Sequence, residues 1–349
     1  MADRPSTLVS QTTRPGTGAN DSAPVRGTGC WLDAMLWLAT AAMGSMAITQ
    51  AVGITGISVV YVMQALTPFV LTMAVPLAVG AMLTQRHGLA VTNAGIALAL
   101  LALCAPIVLS DHPPRIADDA QRVRIAHANA YFKNATPAAA ADRLLEIDAD
   151  VLAVTEYDTD LATALAAAGV SARYPFRIDR APTDRNGVAL FSRFPITTGV
   201  LEPIGGQYGI DATIDLAAGS GAGGSIRIIA VHPLPGINRV ALRQLRRDLA
   251  EFGRRATTPG PPTVMVGDFN ASRWHPAFRD LLGRGLIDAH EQLGDGFSRS
   301  WPNGWWIPRF VRLDHALLGE GVTAVRIDDV AVPGSDHLGF VVEVAIMGP

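Results

Sequence analysis

The hydrophobic pattern of the chain changes character near residue 110. Apolar residues run almost unbroken over residues 34–110, where Arg86 is the only charged side chain, and beyond that point charges recur every few residues. The apolar part divides into three spans, at about residues 31–48, 63–83 and 89–109. Each is close to the ~20 residues that a helix needs to cross a ~30 Å hydrocarbon core. The stretch 49–62 is weaker, with Gln50, Gly53 and Gly56, and is expected to be an interfacial connection unless the first span runs further. Pro68 and Pro76 fall in the second span, where membrane helices tolerate proline better than soluble ones do. A buried soluble bundle is the other reading of such a segment, but it needs charged outer faces that are missing here.

Past residue 110 the pattern becomes one of short β-branched runs alternating with helical stretches. Strands are expected at residues 123–128, 151–155, 187–191, 225–232, 263–267, 312–318 and 340–345, and helices at 137–146 and 239–252. Thr136 is placed to cap the first of these helices, with Pro137 in its first turn. Strands with helices interleaved but not strictly alternating imply an α/β architecture of two sheets packed face to face with helices outside. The glycine-rich run 219–224 lies between two strands and lacks a following Lys-Ser/Thr, so it reads as a hairpin loop and not a phosphate loop. The chain therefore divides into a disordered tail (1–28), an apolar membrane region of about three helices (29–110), a linker (111–122) and a C-terminal domain (123–349).

Charge and cysteine content narrow the reading. The formal net charge of -3 supplies no basic field to hold a polyanion. Four of the 28 basic and three of the 31 acidic residues precede Asp111, which leaves 24 against 28 in the C-terminal part. Lys133 is the only lysine, a bias we read as genomic base composition before phosphate recognition. The two cysteines, Cys30 and Cys104, both lie outside the C-terminal domain, which argues against a disulfide scaffold and a cysteine zinc site. No apolar stretch precedes Cys30, so a lipoprotein signal is a poor reading, and the long tail before the first span argues against a cleaved signal peptide. Arg4, Arg14 and Arg26 precede the first span, Arg86 and His87 separate the second from the third, and no charge separates the first from the second. The positive-inside rule then puts the N-terminus and the Arg86 loop in the cytoplasm. Three crossings place residues 111–349 outside a cell membrane, with the lipid bilayer as the partner of residues 29–110.

The polar residues of interest sit at the ends of apolar strands. Glu156 follows Val-Leu-Ala-Val-Thr, where a carboxylate is a natural ligand for a hard cation; taken alone it reads more readily as a strand-ending acid in solvent. Asn129 ends the first strand, facing the same ion or simply making a turn. In Gly267-Asp268-Phe269-Asn270 the Asp and Asn side chains point the same way on an extended backbone. The carboxylate is suited to orienting or deprotonating a water, and the amide to bonding a phosphoryl oxygen; an Asx turn is the plainer alternative. Two Asp-His pairs follow, Asp314-His315 and Asp336-His337. A carboxylate fixes a histidine's orientation and makes it more basic. His232 ends a strand before Pro233 and, by itself, reads as a structural residue.

In this order the features resemble the endonuclease/exonuclease/phosphatase (DNase I-like) superfamily. The matching segments are Asn129, Asp150-Val-Leu-Ala-Val-Thr-Glu156, Asn186-Gly-Val-Ala-Leu-Phe-Ser-Arg-Phe-Pro195, Val231-His232, Gly267-Asp-Phe-Asn270, Ser300-Trp-Pro302, Arg312-Leu-Asp314 and Ser335-Asp-His337. The resemblance implies a four-layer α/β sandwich and a phosphoric ester hydrolase dependent on Mg²⁺ or Mn²⁺. It implies metal ligation by Glu156 with Asn129 beside it, and a second metal position or its surroundings at Asp336. Asp268 orients or activates the attacking water, and Asn270 holds the scissile phosphate. His337 contacts phosphoryl oxygens or acts as base and is oriented by Asp314, while His232 assists the leaving group. The alternative from another class is an inactive, membrane-anchored binding module on the same fold.

The substrate branch stays open among nucleic acid, phospholipid headgroup and small phosphate ester, and no obligate protein partner is implied. Arg239, Arg243, Arg246 and Arg247 line a helix that reads as a solvated face, carrying Asp248 and Glu251. Trp301, Trp305, Trp306, Ile307 and Phe310 form an aromatic cluster before Asp314. Trp301 is expected in the core, whereas exposure of Trp305 and Trp306 would favour a lipid substrate.

Overall fold

The computed structural model describes residues 27–109, 115–217 and 224–347. Most of the expected tail, residue 110 with the first four residues of the linker (111–114), and all of the glycine-rich run except Gly224 lie outside the described residues.

Strands β1 (Arg122–Asn129), β2 (Val151–Thr155), β3 (Phe176–Arg180), β4 (Val188–Ser192), β11 (Val322–Ala331) and β12 (Leu338–Ile346) form one mixed sheet in the order β11-β12-β1-β2-β4-β3. Strands β5 (Ile196–Ile204), β6 (Gln207–Asp215), β7 (Ser225–Val231), β8 (Thr263–Asp268), β9 (Ile287–Asp288) and β10 (Asp314–Leu318) form the other, in the order β5-β6-β7-β8-β10-β9. Each sheet holds one parallel pair at its centre, β1 with β2 and β7 with β8, and antiparallel neighbours around it.

Strand alternation builds the layers. Val123, Ile125, Val151 and Ala153 meet Ile228, Ala230, Val264 and Val266 between the sheets. The opposite faces carry Ala126, Leu152 and Val154 under Leu144 of helix Pro137–Glu146 and Leu161 of helix Thr159–Ala167. On the second sheet, Ile229 and Met265 pack under Leu245, Leu249 and Phe252 of helix Arg239–Ala256. Central strands buried on both faces read as continuous apolar runs. The result is two packed mixed sheets flanked by helices.

The N-terminal apolar region contains helices α1 (Gly27–Val52), α2 (Ser58–Gln64), α3 (Thr67–Thr72), α4 (Ala74–Leu83) and α5 (His87–Val108). Among the described residues, two helices are long and apolar enough to cross a membrane, at Cys30–Val52 and His87–Val108. The expected second span is not one helix: Ser58–Gln64 and Thr67–Leu83 meet at a 63° bend. Pro68 stands in the first turn of α3, and a proline disfavours helix in the residue before it. Part of the expected interfacial connection is helical too, because α1 continues to Val52 and α2 begins at Ser58.

The two ends of this bundle differ. At one end Arg86 Nε pairs with Asp33 Oδ1 at 2.7 Å, joining the start of α1 to the turn before α5. At the other, Gln50 Nε2 donates to Thr67 Oγ1 at 2.7 Å and to the Trp274 carbonyl at 2.8 Å, and Arg279 Nη1 donates to Gln50 Oε1 at 2.8 Å. The helices therefore rest on the sandwich at the end opposite Arg86.

Candidate active site

Strand register brings the site together. In the parallel pair β1/β2, Asn129 lies beside Thr155, which puts Glu156 just past the shared edge. In β7/β8, Val231 lies beside Gly267, so His232 and Asp268 emerge together. Asp314 opens β10 opposite Asp268, and His337 immediately precedes β12, which runs antiparallel along β1. Gly267 is required by this approach: a Cβ there would meet the Val231 carbonyl oxygen at 2.0 Å.

The predicted residues converge. Asn129 Nδ2 donates to Asp268 Oδ2 at 3.0 Å and to Glu156 Oε1 at 3.4 Å. His232 Nε2 lies 3.7 Å from Glu156 Oε1 and 3.6 Å from Asp268 Oδ2. His337 Nε2 lies 3.7 Å from Asp268 Oδ2, and its Nδ1 is 2.8 Å from Asp314 Oδ2. Asp336 stands at the rim, with Oδ1 3.9 Å from His337 Nε2 and Oδ2 accepting from the Trp301 indole at 3.4 Å. Asn270 donates one amide hydrogen to the Pro233 carbonyl at 2.9 Å; an NH₂ group has a second for a phosphoryl oxygen.

Backbone strain marks the same positions. Glu156, Asn270 and Tyr131 have φ of 52°, 48° and 60°, a region that non-glycine residues keep only where the surroundings hold them. The Phe132 amide donates to Glu156 Oε2 at 3.0 Å, and the Asn270 amide donates to Asp268 Oδ1 at 2.8 Å.

Burial and mutual charge divide the protons unevenly. Burial pulls His337 down, but the Asp314 and Asp268 carboxylates outweigh it and raise the imidazole from 6.5 to about 10. Burial raises Asp314, yet His337 prevails and holds it at about 2. His337 is thus a cation at neutral pH. Burial lowers His232, partly against the pull of Asp268. Asp268 is raised by burial, opposed by His337. Glu156 is raised by burial, opposed by the Phe132 N–H and Asn129.

Further residues support the cluster. His127 Nδ1 approaches Asp314 Oδ1 at 3.6 Å, and its position two residues before Asn129, on the same strand face, was the available signal. Ser300 Oγ accepts from the Leu313 amide at 2.9 Å, and Ser335 Oγ donates to the Asn129 carbonyl at 2.7 Å. Arg185 lines the pocket one residue before the Asn186-Gly-Val segment. Of the two Asp-His pairs, His315 is absent from the site, since its Nδ1 pairs with Asp288 at 2.5 Å beneath the second sheet. Trp301 is a half-buried wall of the pocket instead of a core residue, because its indole N–H reaches Asp336.

The model of the Endonuclease/Exonuclease/phosphatase family matches residues 126–337, more than half of the chain. The chain belongs to this family. Similar solved structures include an endonuclease/exonuclease/phosphatase from Beutenbergia cavernae, 18% identical, covering 65% of this chain and 72% of its own, with a TM-score of 0.52. D. rerio TDP2 complexed with single-strand DNA product is 15% identical over 64% of this chain and 99% of its own, at 0.53. The 3′ phosphatase NExo from Neisseria, bound to a product DNA hairpin, is 19% identical over 63% of this chain and 98% of its own, at 0.50. No curated protein matches the chain. These likenesses establish the fold, and the family is one of phosphoesterases.

The donor set suits a hard cation with open coordination. Among the described residues no three His, Cys, Asp or Glu side chains form a ready metal cage. Mg²⁺ commonly takes one or two carboxylates and completes its shell with water and substrate oxygens. Glu156 Oε1 is turned toward the pocket side of Asn129 and His232, with Asp336 across the rim. Asn129 directs its NH₂ inward here, because its Oδ1 accepts from the Tyr131 amide at 2.9 Å.

Proposed function

We propose that this endonuclease/exonuclease/phosphatase-family protein hydrolyses a phosphodiester or phosphomonoester by water attack at phosphorus, with Mg²⁺ or Mn²⁺ held by Glu156. The observation that carries the reading is the cluster itself: Glu156, Asp268, His232 and His337 share one pocket within 4 Å contacts. Asp268, whose carboxyl burial makes more basic, receives the proton of the attacking water. His337, kept cationic by Asp314, donates from Nε2 to a phosphoryl oxygen. The free amide hydrogen of Asn270 supports the same charge. His232 bonds the leaving oxygen. A bound divalent cation would offset phosphate charge and stabilise the departing alkoxide. The test is hydrolysis of bis-p-nitrophenyl phosphate, linear DNA, sphingomyelin and phosphoinositides by the full chain with Mg²⁺ or Mn²⁺. At least one ester should turn over, chelation should abolish it, and Asp268→Ala should lose about 10³-fold. Equal rates in parent and Asp268→Ala would end the proposal and favour the inactive module.

The same proposal places the catalytic part outside the cytoplasm. Its support is the helix geometry, in which the sandwich sits at the end of the bundle away from Arg86, together with the positive-inside rule.

A further inference from the structure

The catalytic pocket has a second wall that belongs to the apolar N-terminal region. Its volume is about 360 Å³, and Tyr61, Val62 and Ala65 line it together with the catalytic cluster. Leu234, Ile237 and Phe310 line the same pocket, and Gly236, next to Ile237, approaches the Tyr61 ring. The lining is therefore charged around the catalytic cluster and Arg185, and largely hydrocarbon elsewhere. Helix α2 is fixed in place: the Tyr61 hydroxyl donates to the Asn270 carbonyl, the His275 ring stacks on Tyr61 at 4.0 Å, and His275 Nε2 lies 3.0 Å from the Tyr61 carbonyl oxygen. Apolar surface also continues outward along the rim, where Val62, Ile237 and Val240 are 47%, 67% and 69% exposed.

We propose that α2 and its following turn form an apolar subsite for a hydrocarbon chain, so that the substrate is an amphiphile with the phosphate ester at its head. This deepens, and rests on, the phosphoesterase reading. The phosphate lies over Asp268, Asn270 and His337, and the chain runs along Ala65 and Ile237 toward the apolar N-terminal helices. A nucleic acid would set charged backbone against that wall, in a domain with an excess of acidic residues. On this account the N-terminal helices complete the active site as well as anchoring it.

The experiment uses the full chain in phosphatidylcholine nanodiscs and a series of n-alkyl 4-nitrophenyl phosphodiesters from methyl to dodecyl. The dodecyl-to-methyl ratio of kcat/KM should be large, with rises of up to about fourfold per methylene while the chain is being buried. Partition into the bilayer also favours long chains, so the decisive comparison is between variants in the same discs. Ala65→Trp, which fills the subsite, should cut the ratio tenfold or more, and Ile237→Ser in the same lining should cut it in the same direction. Leu101→Ala, on the outer face of α5, should leave the ratio unchanged. A ratio indifferent to Ala65→Trp and Ile237→Ser would overturn the subsite while leaving a phosphoesterase. If no ester turns over, the phosphoesterase reading fails and binding decides the subsite. Dodecylphosphonate should then quench tryptophan fluorescence more tightly than methylphosphonate in the parent but not in Ala65→Trp, and equal affinities in the parent would overturn it.

Discussion

Asp314 is buried completely, yet it remains an anion, since it sits between two imidazoles with Oδ2 on His337 and Oδ1 facing His127. Burying a charge is costly unless it is paired. Removing one partner of such a pair typically costs about 3–5 kcal/mol. The pH dependence follows from the two shifts. His337 is raised from 6.5 to about 10, so its contribution to stability is complete below pH 6.5 and is lost as pH rises through 10. Asp314 is lowered from 3.8 to about 2, so its contribution is complete above pH 3.8 and is lost as pH falls through 2. Asp314→Asn should therefore destabilise the protein most between about pH 4 and 6.5, with the gap from the parent closing toward pH 10. Thermal unfolding of both proteins in detergent across that range measures it. A gap of constant size from pH 5 to pH 10 would show that the ion pair is not its source.

At the scale of elements, what could be read from the sequence follows burial. The strands β1, β2, β4, β7, β8, β10 and β12, central or next to centre, carry apolar runs and stand within a residue or two of where the pattern put them. The strands that escaped notice are mostly sheet edges: β3, β5, β9 and β11 close the two sheets. β5 is largely exposed and reads Ile-Thr-Thr-Gly-Val-Leu-Glu-Pro-Ile, without the alternation that a buried face imposes. The candidate-site residues stood out in the sequence because they end, begin or closely flank a buried strand. The role of α2 was not, since nothing in the sequence brings residue 61 to residue 270. Tyr61 is there a positioning residue: Tyr61→Phe deletes the donor to the Asn270 carbonyl at a strained backbone. Its kcat should fall about tenfold, with KM changed less than twofold on a short-chain ester; a matching rise in KM would mean that the hydroxyl serves binding instead. Trp305 and Trp306 are 55% and 92% exposed, suited to a bilayer interface. Replacing both with alanine should lower hydrolysis of a bilayer-embedded ester several-fold more than that of a soluble one, and equal losses on the two would remove the membrane role.

Taken whole, the molecule couples a sandwich that needs water at its mouth to helices that would be unstable facing it. Leu38, Leu83, Val91 and Leu101 are 73%, 77%, 73% and 63% exposed on those helices, an apolar surface far beyond scattered surface residues. The bundle also keeps its few polar groups for internal bonds, as Asn93 does in donating to Thr40 Oγ1 at 2.9 Å. α1 and α5 each begin at the Arg86–Asp33 end, and α1 reaches the sandwich through Gln50 while Ile107 of α5 lies against Gly296. In a bundle that crosses a bilayer, one crossing direction would therefore fix both, and the proposed active site would lie on the opposite side from Arg86. The native cysteines make this measurable. Cys30 is free and exposed near the Asp33 end, whereas Cys104 is half-buried near the other. In a Cys104→Ser background, a membrane-impermeant maleimide should label Cys30 only after the cytoplasmic face is opened. A cysteine replacing exposed Ala167 on the sandwich, in a background without Cys30, should be labelled in intact cells. Labelling of both sites from the same face would exclude a three-crossing bundle, because an odd number of passages must separate the start of α1 from the sandwich.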